Sequence, residues 1–146
     1  MMRVLVAYES RGGRTRRAAE AIAAAARNEG HTVALKPLAQ VGRDDVLESE
    51  MLFLGTWVQG YILFGVGPAN AALRWLGDLP PLGGKPVAVF CTYAFNPRGT
   101  LALLRTSLET KSAKVVGERS FNHRQPELGA DGFARGALAA VASREP

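Results

Sequence analysis

The chain has 146 residues, a length that suits one domain with a single core, and we expect residues 1–146 to form one domain. Hydrophobic residues make up 47% of the chain and charged residues 21%, a balance that excludes an intrinsically disordered protein. The net charge of +5 makes nucleic acid one candidate partner. However, the basic residues are scattered apart from one cluster at residues 11–17, and no nucleic-acid-binding motif accompanies them. We therefore interpret the charge as a solvated basic surface.

Cysteine content and hydropathy indicate a compartment. Cys91 is the only cysteine, which excludes an internal disulfide and a cysteine-rich zinc site and fits a reducing cytoplasm. Strand-like residues begin at about position 3, so we expect no signal peptide. The alanine-rich run at residues 18–26 contains Glu20 and is too short to cross a bilayer. The sequence thus predicts a cytoplasmic protein without a membrane span.

Strand and helix patterns alternate five times along the chain. Apolar runs rich in β-forming residues predict strands at residues 4–8, 31–38, 51–55, 86–92 and 114–121. Helix formers predict helices at residues 15–29, 70–76, 100–111 and 131–143, and one helical turn within 40–47. Thr15, Asn70 and Asp131 are predicted as the N-caps of three of these helices. Short links between alternating elements favour an α/β fold, a parallel sheet with helices on both faces.

The first link, at residues 10–15, has the character of a phosphate-binding loop. It follows a buried strand, supplies two hydroxyls and two glycines, and leads into a helix N-terminus, where backbone N–H groups attract anions. It is neither G-x-G-x-x-G nor a Walker loop, because Gly12 and Gly13 are adjacent and no Gly-Lys-Ser/Thr follows. An ordinary glycine-containing turn without a ligand is the alternative at this stage.

Two further links carry aromatic residues directly after a predicted strand. Residues 56–68 read as a glycine-rich loop with Trp57, Tyr61 and Phe64, and residues 93–99 begin with Tyr93. These side chains either line a binding surface or form a small core beneath the loops. In a parallel sheet the carboxyl ends of the strands form the ligand-binding edge. A flat aromatic ligand with one phosphate would fit there, its ring between Trp57 and Tyr93.

With these three loops, the sequence resembles the flavodoxin family, in its short-chain form, over nearly its whole length. Residues 10–15 resemble the family's phosphate loop, Thr/Ser-x-Thr/Ser-Gly-x-Thr. Gly55, Thr56 and Trp57 with Gly60 resemble the loop over one face of the flavin, and residues 91–93 resemble the loop over the other. The last strand has no long insertion, as in the short form. The resemblance implies a flavodoxin-like three-layer sandwich whose five parallel strands lie in the order 2-1-3-4-5.

The resemblance also implies a cofactor, FMN, and an electron-transfer role between redox partner proteins. The Ser10 and Thr15 hydroxyls and the N–H groups of residues 12–15 would hold the phosphate, and Trp57 and Tyr93 would flank the isoalloxazine. Peptides of residues 58–60 would meet flavin N5, and main-chain groups of residues 93–95 the pyrimidine edge. The implied cofactor-binding residues are Ser10, Arg11, Gly12, Gly13, Arg14, Thr15, Thr56, Trp57, Val58, Gln59, Gly60, Thr92, Tyr93, Ala94 and Phe95. No metal ligand and no catalytic acid, base or nucleophile is predicted, and His123 is interpreted as a solvent residue.

The sequence departs from the family pattern in two ways. Gly12 stands where a hydroxyl residue is usual, which removes one hydrogen bond worth about 1 kcal/mol. Arg11 or Arg14 could offset this loss with a charge-assisted bond. Many flavodoxins are strongly acidic, whereas this chain is basic, so we expect a less negative flavin potential and redox partners with acidic surfaces.

Three functional hypotheses follow from the sequence. The first is an FMN-binding electron carrier without a substrate pocket. The second is a small FMN-dependent oxidoreductase, for example a quinone reductase, that holds its substrate with the apolar segment 60–68. The third is a flavodoxin-like interaction module that has lost FMN. A response-regulator receiver is disfavoured, because the third strand ends in Leu54, Gly55 and Thr56 without a phospho-acceptor aspartate.

Overall fold

The computed structural model describes residues 1–59, 67–97 and 99–143. The strands are β1 (Arg3–Glu9), β2 (Thr32–Pro37), β3 (Met51–Gln59), β4 (Gly67–Pro68), β5 (Pro86–Tyr93) and β6 (Lys114–Asn122). The helices are α1 (Arg14–Asn28), α2 (Arg43–Glu48), α3 (Asn70–Gly77), α4 (Thr100–Glu109) and α5 (Ala130–Ala142), and a 3-10 turn covers Leu38–Gln40. None of the helices in these ranges is long and apolar enough to cross a membrane.

Five of the strands form one parallel sheet. Their spatial order is β2-β1-β3-β5-β6, and every neighbouring pair in this order is parallel. The two-residue β4 pairs antiparallel with the end of β3. When only the parallel strands are counted, the order is 2-1-3-4-5, so the predicted topology is confirmed. The central strands β1, β3 and β5 are buried on both faces, which explains why they read as continuous apolar runs.

Each face of the sheet has its own core, because alternate residues of a strand point to opposite faces. On one face, Val4 and Val6 pack with α1 and α5, and the alanines of α1 allow that helix to lie close to the sheet. On the other face, Leu5 and Ala7 pack with α3 and α4. Edge-to-face contacts, with ring centroids 5.8–6.3 Å apart, join four phenylalanines of the first core: Phe53, Phe90, Phe121 and Phe133.

The three predicted N-caps are wrong. Thr15, Asn70 and Asp131 lie within the first turn of their helices, and none of the three cap residues makes a side-chain cap hydrogen bond. α1 and α5 instead begin after Gly13 and Gly129, whose φ values are 89° and 87°. Only glycine adopts this left-handed conformation readily, so the chain enters both helices through a backbone turn.

The end of β3 also differs from the prediction. The sequence predicts a strand over residues 51–55 and a loop from Thr56 onward, but the strand continues to Gln59. Trp57 pairs with Thr92 of β5, and Val58 and Gln59 pair with β4. Residues 60–66, including Gly60, Tyr61 and Phe64, lie outside the described residues. The predicted loop over 56–68 is therefore wrong for its first four and last two residues, which are strand.

Gly55, in the middle of β3, is required by close packing. A Cβ at this position would overlap the ring of Phe90, which is fully buried and cannot move aside. We expect Gly55→Ala to lower the free energy of unfolding by about 1–3 kcal/mol, since overpacking forces neighbouring side chains to shift. The matched control is Gly136→Ala on the exposed face of α5, where a Cβ meets nothing within 4 Å. This variant should be up to about 1 kcal/mol more stable, because alanine favours the helix. Urea unfolding measures the free energy of unfolding of both variants. Equal values would show that the contact with Phe90 does not require glycine at residue 55.

Candidate binding site at the carboxyl edge of the sheet

The link between β1 and α1 forms an anion cradle. Gly12 and Gly13 have φ values of 81° and 89°, and this turn leads the chain directly into the helix. The Ser10 hydroxyl accepts a hydrogen bond from the N–H of Arg16 at 3.3 Å and so takes the capping role that was predicted for Thr15. The N–H groups of Gly13, Arg14 and Thr15 have no acceptor among the described residues. Unpaired N–H groups at a helix N-terminus form a site for a phosphate or carboxylate.

A buried pair of hydroxyls joins this cradle to the end of β5. The Oγ1 atoms of Thr15 and Thr92 are 2.7 Å apart, and these residues are only 1% and 4% exposed. Each hydroxyl has one proton to donate, and their mutual bond uses only one. The other proton has no acceptor among the described residues, so a buried donor remains for a ligand or a water molecule. Thr15 and Thr92 were both predicted site residues, but the contact between them was not predicted.

A second contact joins the cradle to the end of β3. The guanidinium carbon of Arg11 lies 5.3 Å from the centroid of the half-buried Trp57 ring, a cation–π distance. Trp57 is also the register partner of Thr92. The structure therefore brings together the three segments around residues 11, 57 and 92, as the sequence predicts for the carboxyl edge of a parallel sheet.

The polar side chains at the end of β3 anchor the start of α3. The buried Thr56 hydroxyl donates to the carbonyl of Trp57 at 2.9 Å and accepts from the N–H of Ala69 at 3.2 Å. The Gln59 side chain accepts from the N–H of Asn70 and donates to its side-chain oxygen, both at 3.0 Å. These bonds hold the backbone of residues 56–59 in place. These hydrogen bonds were not predicted, because their partners Ala69 and Asn70 lie more than ten positions further along the chain.

Aromatic residues of the third segment differ in exposure. Tyr93 is half-buried at the end of β5, and its carbonyl accepts from the N–H of His123 at 2.8 Å. Ala94 is exposed, and the Phe95 side chain is 81% exposed.

His123 is half-buried and its Nδ1 is buried without a partner among the described residues, so its interpretation as a solvent residue is wrong.

Other reactive groups take no part in the site. Cys91 is fully buried in β5, and desolvation raises the pKa of its thiol to about 12, so it stays protonated at neutral pH. No group of His, Cys, Asp and Glu residues within the described ranges could hold a metal ion. The site therefore consists of N–H groups, hydroxyls, aromatic rings and arginines.

Cations outnumber carboxylates at this edge, where Glu9 is the last residue of β1. Arg16 and Arg17 form ion pairs with Glu20 and Glu127, at 3.9 and 2.6 Å. Three more exposed arginines of this edge have no carboxylate partner within the described part of the chain: Arg11, Arg14 and Arg124. Four exposed arginines elsewhere in that part also lack one: Arg27, Arg43, Arg74 and Arg119. The first three follow β1 and β6 at the carboxyl edge and favour anionic ligands and partners.

Solved structures show the same fold, although no protein-family model and no curated protein sequence matches this chain. The two-electron reduced flavodoxin of Megasphaera elsdenii has a TM-score of 0.81 and 24% identity, with 94% of this chain and 98% of that one covered. Oxidised flavodoxin 1 of Bacillus cereus has a TM-score of 0.74 and 16% identity, with 94% and 97% covered. This chain has a short-chain flavodoxin-like fold. The fold also matches part of a larger protein, rubredoxin oxygen:oxidoreductase from Desulfovibrio gigas, with a TM-score of 0.73 and 17% identity, covering 96% of this chain and 37% of that one.

The anchoring role of Thr56 can be tested by a nearly isosteric change. We expect Thr56→Val to lower the free energy of unfolding by about 1–3 kcal/mol, because the buried N–H of Ala69 loses its only acceptor among the described residues. The control is Thr106→Val, on the exposed surface of α4, which should change stability by no more than about 0.5 kcal/mol. Chemical denaturation measures both variants. A Thr56→Val protein as stable as the control would show that this hydrogen bond contributes little.

Proposed function

We propose that this protein binds FMN non-covalently at the carboxyl edge of its sheet and carries electrons between redox partners. The observation that carries the proposal is the convergence of an anion cradle and two half-buried aromatic residues at one point. This point lies where the strand order reverses, beside β1 and β3, the position at which open α/β sheets bind ligands. Supporting evidence comes from the fold similarity to flavodoxins.

The donors of the cradle suit a phosphate group. The N–H groups of Gly13, Arg14 and Thr15 lack protein acceptors within the described residues, and the Ser10 hydroxyl, which accepts from Arg16, still has its proton to donate. The pair of Thr15 and Thr92 has one further O–H donor. A phosphate has only acceptor oxygens at neutral pH, so a set composed of donors is the complementary arrangement.

The aromatic residues suit a flat ring. Trp57 and Tyr93 stand at the ends of neighbouring strands and are only half-buried, so part of each ring is available to a ligand. Aromatic rings stack favourably at centroid distances of roughly 4.5–7 Å. The fixed peptides of Val58 and Gln59, and the main chain of Ala94 and Phe95, would contact the polar edges of such a ring. Gly60, expected to adjust there, lies outside the described residues.

FMN when bound supplies one- and two-electron chemistry, and the protein positions it and tunes its potential. The residues of this edge contribute positive charge, which favours a more negatively charged reduced ring and makes the potential less negative. The unpaired arginines also favour partner proteins with acidic surfaces. We place this carrier in the cytoplasm, as a single domain without nucleic-acid partners. The reductase hypothesis depends on residues 60–66, outside the described ranges, and stays a prediction from the sequence.

Cofactor binding can be tested by titrating FMN into the protein. We expect quenching of flavin fluorescence and, after excess ligand is removed, retained absorption bands near about 375 and 450 nm. Trp57→Leu should weaken FMN binding by about threefold to tenfold, because ring stacking is lost. The control, Trp75→Leu on α3, removes the other tryptophan outside the site and should leave the affinity unchanged. Unquenched FMN fluorescence and a colourless protein would refute FMN binding and favour the interaction module.

The charge of the edge can be tested with small redox reagents. Oxidation of the reduced protein by the anion ferricyanide should slow as salt increases, whereas oxidation by a hexaammine cation should accelerate, because salt screens attraction in the first case and repulsion in the second. Arg124→Glu should reduce both salt effects. Lys114→Glu, an equal charge change at the opposite edge of the sheet, should alter them less. The reverse salt dependence would show that electrons leave through a negative surface.

A further inference from the structure

The four arginines of the β1–α1 region have different environments, and one of them is free for a ligand. We infer that Arg14 is the residue that recognises the phosphate of FMN, in place of the hydroxyl that Gly12 lacks. The inference rests on the proposed function and makes it specific: the dianionic phosphate is held by a cation as well as by neutral donors.

The backbone conformation at residue 12 explains why glycine, and not a hydroxyl residue, stands there. Its φ of 81° lies in the left-handed region, where any residue with a Cβ is strained. The guanidinium of Arg14 occupies the neighbouring space instead, since its Nη1 atom lies 3.9 Å from the point where a Cβ of residue 12 would lie. A charged donor therefore stands close to the position from which a hydroxyl would act.

The other three arginines are engaged by the protein itself. Arg11 lies over the ring of Trp57, Arg16 pairs with Glu20, and Arg17 pairs with Glu127. Arg14 has no ion-pair partner among the described residues. The sequence left Arg11 and Arg14 as equal candidates for the lost phosphate bond. Their positions favour Arg14 for the phosphate and Arg11 for the aromatic residue.

Arg14 is placed where a cation is unfavourable unless an anion is present. It is the first residue of α1, at the positive end of the helix dipole, and no acidic residue lies in the first turn. A bound phosphate removes this repulsion and accepts a charge-assisted hydrogen bond, which is stronger than a bond to a neutral donor. The consequence is selectivity: affinity should depend on the phosphate, and hence on salt, more than it would with neutral donors alone.

The test compares FMN with riboflavin, which has the same ring and no phosphate. Arg14→Gln should weaken FMN binding by at least about tenfold, as expected for losing a hydrogen bond to a charged group, and change riboflavin binding by less than about twofold. Arg14→Lys should recover part of the loss by restoring the charge. The matched control is Arg16→Gln, two residues away on the same exposed turn, which should leave both affinities unchanged. Isothermal titration calorimetry measures each Kd, and circular dichroism confirms that each variant is folded.

The outcomes separate this inference from the proposed function. A wild-type protein that binds neither ligand refutes the proposed function, and the inference with it. A wild-type protein that binds FMN, with an Arg14→Gln variant that loses both ligands equally or neither, overturns the inference alone. An FMN-selective loss in Arg11→Gln instead of Arg14→Gln also overturns it. If Arg14→Gln does not fold, Arg14→Met takes its place: an FMN-selective loss of affinity supports the inference, and equal FMN affinity in Arg14→Met and the wild type overturns it.

Discussion

The buried hydrogen bond between the hydroxyls of Thr15 and Thr92 joins the elements that form the carboxyl edge of the sheet. It joins the first turn of α1 to the end of β5 through two residues that are 77 positions apart in the chain. Trp57 lies beside Thr92 in the sheet register, and Arg11 reaches Trp57 from the same loop that contains the cradle. Loss of this bond would leave a buried hydroxyl unpaired, which is costly. We therefore expect it to shift both the β1–α1 link and Trp57.

Three cations without a carboxylate partner in the described residues lie at the carboxyl edge of the sheet: Arg11, Arg14 and Arg124. The net charge of +5 comes from scattered residues, and nearby carboxylates neutralise five arginines and one lysine of the described residues: Arg3, Arg16, Arg17, Lys36, Arg105 and Arg135. Such exposed pairs contribute little to stability. Among the cations without a carboxylate partner in the described residues, Arg11, Arg14 and Arg124 follow β1 and β6 at the carboxyl edge. Others, such as Arg27, Arg43 and Lys114, lie elsewhere on the surface.

The α/β class could be predicted from the sequence because strands and helices have local patterns. Continuous apolar runs such as residues 51–55 identify central parallel strands, whereas the strand order 2-1-3-4-5 was implied by the resemblance to the flavodoxin family. The errors occur where distant residues decide. Glycines suggested a loop after Gly55, but pairing with β5 and β4 extends the strand to Gln59. Thr56, Trp57 and Val58 are all β-forming residues, a signal that favours the longer strand.

The site was predictable only in outline. The sequence brought residues 10–15, Trp57 and Thr92 to one edge, since strands of a parallel sheet end together. It did not show whether Arg11 or Arg14 replaces the lost phosphate hydrogen bond, because the position of a side chain depends on packing and not on spacing. It also placed the cap of α1 on Thr15, whose hydroxyl is used by Thr92, whereas Ser10 performs the capping. Left-handed glycines and paired hydroxyls are three-dimensional features without a periodic pattern.

NMR can show whether FMN binds at the carboxyl edge of the sheet. The ¹⁵N-labelled protein would be titrated with FMN, and amide shifts would be followed residue by residue. If FMN binds there, the largest changes should occur at Gly12–Thr15, at Trp57–Gln59 and at Thr92–Phe95, with small changes at the opposite edge around Arg3 and Lys114. Changes centred on that opposite edge, or spread evenly over the chain, would show that FMN does not bind at the carboxyl edge.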